Sequence, residues 1–326
     1  MKKKKINILV TGCAGFIGFH LAKLLLNKKF NVYGLDNLNN YYSAKYKKAR
    51  LKFLRSYKNF YFDNIDISKK NKIQTYFKKK NFDYVYHLAA QAGVRYSLKK
   101  PRKYLDSNLI GFFNLLEELK KNKPKNFIFA SSSSVYGNNL APFNETQSIK
   151  KPISFYSTTK IANEFFAENY SKIYDLKTIC LRLFTVYGPF GRPDMAIYKF
   201  FESFYKNKKI YLRDRGLHQR DYTYVDDVVK AMANCIDRKI YLKLKKYEIF
   251  NLGNSQPIST LNLLKKIKKI SNLPYPKIIN EKSVAESKKT HANIFKAKKK
   301  LKFKNRIKIN YGLKTFHKWF KEYNKF

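Results

Sequence analysis

The sequence predicts a doubly wound α/β protein: a parallel sheet with helices on both faces, and a smaller mixed α/β lobe toward the C-terminus. Three observations carry this. The stretch from Ile6 to Asp36 reads as strand, glycine-rich turn, helix, strand and acid. Strand-like and helix-like segments then alternate up to Leu183. Beyond Thr185 that rhythm breaks. Residues 1–184 are therefore expected to form a first domain and residues 185–326 a second. Segments at about 220–255 are expected to return to the first.

Ile6-Asn7-Ile8-Leu9-Val10 is short, apolar and rich in β-branched residues, as a buried strand is. Thr11-Gly12-Cys13-Ala14-Gly15-Phe16-Ile17-Gly18 follows without a gap, and Phe16, Ile17, Leu21, Leu24 and Leu25 recur at helical spacing. Asn31–Leu35 is a second strand with Asp36 at its end. Gly12 lets the chain turn out of the strand, Gly15 lets a pyrophosphate approach the backbone, and Gly18 lets the helix pack close to the sheet. The helix start at Phe16 and Ile17 offers free N–H groups and a positive dipole end. Asp36 can accept hydrogen bonds from both hydroxyls of an adenosine ribose, and it repels a 2′-phosphate. The unit thus points to NAD rather than NADP. The spacing is GxxGxxG, and a glycine triplet alone also suits a tightly packed helix start. The strand before and the acid after favour the dinucleotide.

Asn37 opens a polar loop to Tyr42 and is taken as a further cofactor contact. A basic amphipathic helix is expected from about Ser43 to Lys58. Phe60-Tyr61-Phe62 is the third strand and leads to Asp66 and Ile67. Asp66 can meet an adenine amino group, or it can cap a helix over Ser68–Lys80. Asp83–Leu88 is the fourth strand, followed by Ala89-Ala90-Gln91-Ala92-Gly93. Small residues after Leu88, Ala89 and Ala90 above all, let a flat ring or a ribose lie on the backbone. A helix is expected over Asp106–Lys121, with Asn108 bonding to backbone or cofactor.

Phe127–Ala130 is the fifth strand and runs into Ser131-Ser132-Ser133-Ser134-Val135-Tyr136-Gly137. Hydroxyls at the C-terminal end of a parallel strand sit where ligands bind in open α/β sheets. Phe155–Tyr170 is a helix, and Tyr156 and Lys160, four apart, share a face of it. A tyrosine acts as a base near neutral pH only if its phenolate is stabilised. A lysine ammonium one turn away and a positive nicotinamide would do that, with Ser132 sharing the proton. The same spacing also describes a surface tyrosine beside a surface lysine; the dinucleotide unit upstream favours catalysis. Lys177–Leu183 is the sixth strand. Later, Gly188–Pro193 is a rigid loop, Tyr224–Ile236 a helix, Glu248–Asn251 a strand returning to the first lobe, and the tail from Tyr275 closes the second.

The composition excludes several classes. At 326 residues, with 44% hydrophobic and 17% aromatic residues, the chain is not a disordered polymer. The net charge of +47 suggests a polyanionic partner. Yet lysines are spread along the whole chain, with no RNP-type motif, zinc-finger spacing or basic heptad, so a solvated basic surface is expected rather than specific nucleic-acid binding. Cys13, Cys180 and Cys235 form neither a disulfide framework nor a metal pattern, and the five histidines lack ligand spacing. No metal is expected. Lys2–Lys5 before an apolar run imitates a secretory leader, but the glycine motif, His20 and Lys23 interrupt it. No stretch reaches membrane-spanning length, and a cytoplasmic location is expected.

On these motifs the chain resembles the extended short-chain dehydrogenase/reductases with a Rossmann domain, and among them the nucleotide-sugar epimerases. It is most similar to the UDP-glucuronate 4-epimerases. The segments that carry the resemblance are Asp36–Tyr42, Ala89–Ser97, Ser131–Gly137, Tyr187–Met195, and Arg220-Asp221-Tyr222 followed by Val225-Asp226-Asp227. The resemblance implies that Tyr156 takes the proton of the sugar 4-hydroxyl while NAD accepts the C4 hydride. The 4-keto sugar turns over, and the hydride returns to its other face. It implies Ser133, Ser134, Thr185 and Arg192 as the grip on a substrate carboxylate, although an arginine fork suits a phosphate equally. It implies Arg220 on the diphosphate. Arg95 is a weaker candidate that also fits a surface salt bridge. Sugar 4,6-dehydratases carry Asp-Glu after the active-site hydroxyl residue, and UDP-glucuronate decarboxylases a Glu. Here Ser133-Ser134 stands in that place. One departure is Ser283-Val284-Ala285-Glu286 where the family has Gln-Pro-Gly-Asp, with Glu286 replacing the ribose-binding Asp. Relatives of this type imply a homodimer through a four-helix contact. The competing expectations are a 4-epimerase of another UDP-hexose, a sugar-nucleotide dehydratase, and a basic nucleic-acid-binding protein on the same scaffold.

Overall fold

The structure is a computed structural model, and it describes residues 5–149, 151–282 and 287–326. Strands β1 (Asn7–Thr11), β2 (Asn31–Leu35), β3 (Phe60–Asp63), β4 (Tyr84–His87), β5 (Asn126–Ser132) and β6 (Thr178–Leu183) form the main sheet. Strands β7 (Thr185–Tyr187), β8 (Ile210–Arg213), β9 (Gln219–Tyr224), β10 (Tyr247–Leu252), β11 (Pro257–Ser259) and β12 (Ile278–Glu281) follow. Of these, β10 joins the main sheet beside β6, giving the order β10-β6-β5-β4-β1-β2-β3, parallel throughout. The chain's direction of travel across the sheet reverses between β1 and β4, the place where open α/β sheets leave a crevice.

Register decides what stands at that crevice. Thr11 pairs with both Leu35 and His87, and Ser132 pairs with Leu183. The C-terminal strand ends therefore lie along one edge, and the glycine turn, Asp36, Leu88 and Ser132 come with them.

The helices are α1 (Phe16–Asn27), α2 (Ala44–Leu54), α3 (Lys70–Lys78), α4 (Val94–Lys99), α5 (Pro101–Tyr104), α6 (Gly111–Lys121), α7 (Phe155–Tyr174), α8 (Ala196–Lys206), α9 (Val225–Asn234), α10 (Arg238–Tyr241), α11 (Thr260–Ser271), α12 (Phe295–Leu301) and α13 (Ile309–Asn324). Side-chain alternation in β1 shows how they are sorted. Ile8 and Val10 face a core shared with α1, α9 and α12, whereas Leu9 faces one shared with α3, α6 and α7. A third core joins α8, α11 and α13 to β8 and β9.

Three segments differ from the sequence expectations. The helix expected from Asp106 begins as a π-helical stretch, Leu105–Ile110, before α6. Pro101 starts α5 as its first residue, which separates it from α4. The tail does not serve the C-terminal core alone. Ala292, Ile294, Ala297, Leu301 and Phe303 are buried in the core of the main sheet, whereas Ile307 and α13 pack on the third core.

Candidate active site

The glycine turn is fixed by sterics. Gly12 has φ +74°, and a Cβ there would lie 2.6 Å from the Ala89 nitrogen. A Cβ on Gly18 would stand 2.1 Å from the Gly12 carbonyl oxygen, so α1 reaches the strand end only with glycine there. A Cβ on Gly15 would meet only the Gly12 carbonyl within 4 Å, which leaves the crevice side open. No side chain caps α1, and its first turn holds no acid. Phe16 and Ile17 thus present N–H groups and a positive dipole end to the crevice, as an anion requires.

Asp36 is buried and accepts from the backbone N–H of Ala14 (3.2 Å) and Leu38 (2.8 Å). Lys47 Nζ lies 3.2 Å from the same carboxylate and 3.1 Å from Asn39 Oδ1. Lys47 and its helix neighbour Arg50 escaped the sequence reading. Their signal was spacing: they share one face of α2 with Leu51 and Leu54, and all four are buried. Asn37 lines the crevice and donates to Asp66 at 3.0 Å. Asp66 lies behind the wall. Its other oxygen accepts from the Ser68 N–H (2.9 Å) and hydroxyl (2.8 Å), which closes a turn ahead of α3; that helix starts at Lys70 after Lys69 without a side-chain cap, so Asp66 is not the expected helix cap. Burial pushes its carboxyl up, but the Asn37 and Ser68 bonds and nearby Lys69 hold it below the usual carboxylate value. Ile67, Leu88, Ala89 and Ala90 line the wall itself.

Asn108 is a framework residue rather than a lining one. Its Oδ1 accepts from the Gln91 N–H (2.7 Å), and its Nδ2 donates to the Gln91 carbonyl (3.1 Å) and to Thr159 Oγ1 (3.1 Å). The π-helical stretch that carries it ties the loop after β4 to α7. Of the two roles open to it, the backbone one is the one it fills.

Ser132, Tyr156 and Lys160 meet in the same crevice. A Ser154–Ser157 capping box starts α7, and the Tyr156 N–H donates to Ser97 Oγ at 3.2 Å. Burial raises the Tyr156 phenol pKa; a hydrogen bond to Ser132 and the charge of Arg192 pull it down. Lys160 Nζ donates to the Ala130 carbonyl at 2.8 Å, and burial brings its pKa down to about 8. The ammonium expected to steady the phenolate is thus held at the end of β5, in the same crevice as Tyr156. The pull here comes from Ser132 and Arg192. A buried network missed in the sequence lies behind the pair. Ser131 Oγ donates to Glu164 at 2.5 Å, and Arg182 grips Glu164 with two bonds of 3.0 and 2.7 Å. It pins the end of β5 to α7.

Arg192 lines the crevice opposite. It makes a two-pronged pair with Asp194 (2.9 and 2.5 Å), and Tyr41 donates to the same carboxylate at 2.9 Å. Burial opposes its charge, but Asp194 more than offsets this, so Arg192 stays a cation. The other substrate-side candidates lie outside the lining. Ser133 and Ser134 form a 3-10 turn after β5, and the buried Ser134 Oγ has no partner among the described residues. Thr185 begins β7 between the lining residues Phe184 and Val186. Arg220 donates to the Gln219 carbonyl on β9, and Arg95 is exposed on α4. Near Arg220, buried Asp221 accepts from the N–H groups of Asn254, Ser255 and Ala292 and donates its own to Thr290 Oγ1. That docks Thr290-His291-Ala292 on β9. Glu286 lies outside the described residues.

The crevice thus offers what a dinucleotide needs: a side-chain-free turn, uncapped helix N–H groups, and an acid at the next strand end. The family model described as the NAD dependent epimerase/dehydratase family matches residues 8–253, and the chain belongs to that family. An uncharacterized protein of Methanocaldococcus jannaschii is 42% identical over 97% of this chain and 96% of its own. UDP-glucuronate 4-epimerase of Thermodesulfobacterium geofontis is 39% identical over 96% of each chain. The crystal structure of UDP-glucuronic acid 4-epimerase from Bacillus cereus, in complex with UDP-glucuronic acid and NAD, is similar with a TM-score of 0.89. It is 33% identical and matches 98% of this chain and 100% of its own.

Proposed function

We propose that the protein interconverts UDP-glucuronate and UDP-galacturonate by NAD-dependent epimerisation at C4. The observation that carries this is the convergence, in the dinucleotide crevice, of a Ser132-bonded Tyr156 and the Arg192 guanidinium. Gly12, Gly15, Phe16, Ile17 and Gly18 would hold the pyrophosphate of NAD, and Asp36 and Asn37 its adenosine end. Ile67, Leu88, Ala89 and Ala90 would wall the rings, with Lys160 at the nicotinamide end. The chemistry supplied by bound NAD is uptake and return of the C4 hydride.

The protein's own part is proton transfer and grip. Tyr156 takes the 4-hydroxyl proton and returns it, with Ser132 sharing that proton. Arg192 neutralises the uronate carboxylate, aided by Ser133, Ser134 and Thr185; the unpartnered Ser134 hydroxyl is available for this. Ser133 and Ser134 stand where an elimination would need a carboxylate base, which favours reversible epimerisation over dehydration. A 4-keto uronate is a β-keto acid and loses CO2 when its carboxylate bond aligns with the carbonyl π system. A fixed carboxylate prevents that alignment. Arg220 is assigned to the diphosphate.

A homodimer is proposed through α6 and α7, where Phe113, Phe165 and Ile173 are exposed. No helix among the described residues is long and apolar enough to cross a membrane, and a cytoplasmic location is proposed. Specific nucleic-acid binding forms no part of this reading. The test is proton NMR of the purified protein with UDP-glucuronate and no added NAD. The expected result is growth of the anomeric signal of the 4-epimer. Unchanged UDP-glucuronate alongside interconversion of UDP-glucose and UDP-galactose would reassign the substrate.

A further inference from the structure

Arg50 is wholly buried, and no carboxylate among the described residues pairs with it. One guanidinium nitrogen donates to the Ala14 carbonyl (2.9 Å) and the Tyr42 hydroxyl (2.8 Å). The other donates to the Phe190 carbonyl at 2.7 Å. Its Nε is buried with no partner among the described residues. Ala14 belongs to the glycine turn. Phe190, with φ +56°, stands two residues before Arg192. Two more bonds cross the same gap: His20 Nε2 meets the Pro189 carbonyl at 2.8 Å, and Tyr41 donates to Asp194. In each case the dinucleotide side supplies the side chain, and the segment 189–194 supplies the acceptor.

We infer that Arg50 is a positioning residue that couples dinucleotide binding to the loop carrying Arg192; the uronate end of the argument rests on the function proposed above. A guanidinium is a rigid planar fork, so holding Ala14 and Phe190 together sets one geometry for both. A buried cation without a carboxylate gains from an anion brought to its surroundings. The anion here is the pyrophosphate on the turn whose carbonyl Arg50 holds. Loading that turn favours the arrangement in which Arg50 also grips Phe190, and Arg192 is then set for a carboxylate. Coupling of this kind is reciprocal: the uronate must tighten NAD by the same factor.

The experiment uses a Tyr156→Phe background, in which UDP-glucuronate stays unconverted. NAD affinity is measured calorimetrically with and without saturating UDP-glucuronate. The parent should show a ratio of about 5-fold or more. Arg50→Met should bring the ratio to about one. Arg50→Lys, a point charge that reaches only one of the two loops, should give an intermediate ratio and decides the matter if the Met variant does not fold. A purely structural role would lower the melting temperature and weaken both ligands while the ratio survived. A folded Arg50 variant with the parent's ratio, or a parent without coupling, overturns the inference alone. A parent that binds NAD but not UDP-glucuronate overturns the substrate reading as well.

Discussion

Tyr156 begins from an unfavourable position for a base: burial raises its phenol, and only Ser132 and Arg192 counter that. Proton transfer is thus the step most exposed to substitution. Tyr156→Phe should lower turnover by about 10²–10⁴-fold while NAD remains bound, as read by cofactor released on acid denaturation. Lys160 allows a stability test of its own. Burial brings its pKa down to about 8 in the folded protein, against the usual lysine value of 10.5. Below pH 8 both states are charged, and the folded state bears the full cost of the buried ammonium. Between pH 8 and 10.5 the folded state sheds its proton first. The unfolded chain then binds more protons, so stability rises with pH. The difference in unfolding free energy between the parent and Lys160→Met should therefore move in the parent's favour by about 3 kcal/mol across that window. Denaturant titrations at pH 7.5 and 10.5 would show it, and a flat difference would mean that Lys160 is less enclosed than described.

At the scale of elements, β5 and α7 act as one unit because Glu164 accepts from both Ser131 and Arg182. Glu164→Gln leaves the buried Arg182 charge uncompensated and should cost about 3–5 kcal/mol. Thermal unfolding would measure that. Turnover of the folded fraction should also fall, because Ser132 stands one residue from the anchor. The strands of the main sheet, β5 among them, were legible in the sequence for a simple reason. A parallel sheet covered on both faces demands short apolar runs, and Ile8–Val10 and Phe127–Phe129 are such runs. Lining residues such as Gly12, Gly15, Asp36, Leu88 and Ser132 were legible because steric need and strand-end position leave a local trace. Other features leave none. The π-helical turn at Asn108 differs from an α-helix by one inserted residue that no periodicity marks. Glu164 and Arg182 pair across eighteen positions, and each alone looks like an ordinary charge. Lys47 and Arg50 differ from these: they left a trace in the face shared with Leu51 and Leu54, but the surrounding lysines masked it. The buried positions of α2 read as one more part of a basic surface.

For the whole molecule the question is how a chain of net charge +47 would pair with itself in the proposed homodimer. Two copies repel over any distance within the Debye length, while the exposed face around Phe113, Phe165 and Ile173 would be drawn together by apolar burial. These two forces respond oppositely to salt. Ions screen the repulsion and leave the apolar term in place. Self-association should therefore strengthen between 50 and about 300 mM salt, as read by sedimentation velocity. Phe165→Glu together with Ile173→Glu should abolish it at every concentration of salt while cofactor binding persists. Contact with RNA runs the other way. Each phosphate neutralised releases a counterion, so affinity falls steeply over the same interval. One salt series thus separates the two consequences of the charge: a dimer constant that grows, and a polyanion affinity that collapses. Should the dimer weaken with salt instead, the contact would be made by ion pairs. The α6–α7 face would then be the wrong surface.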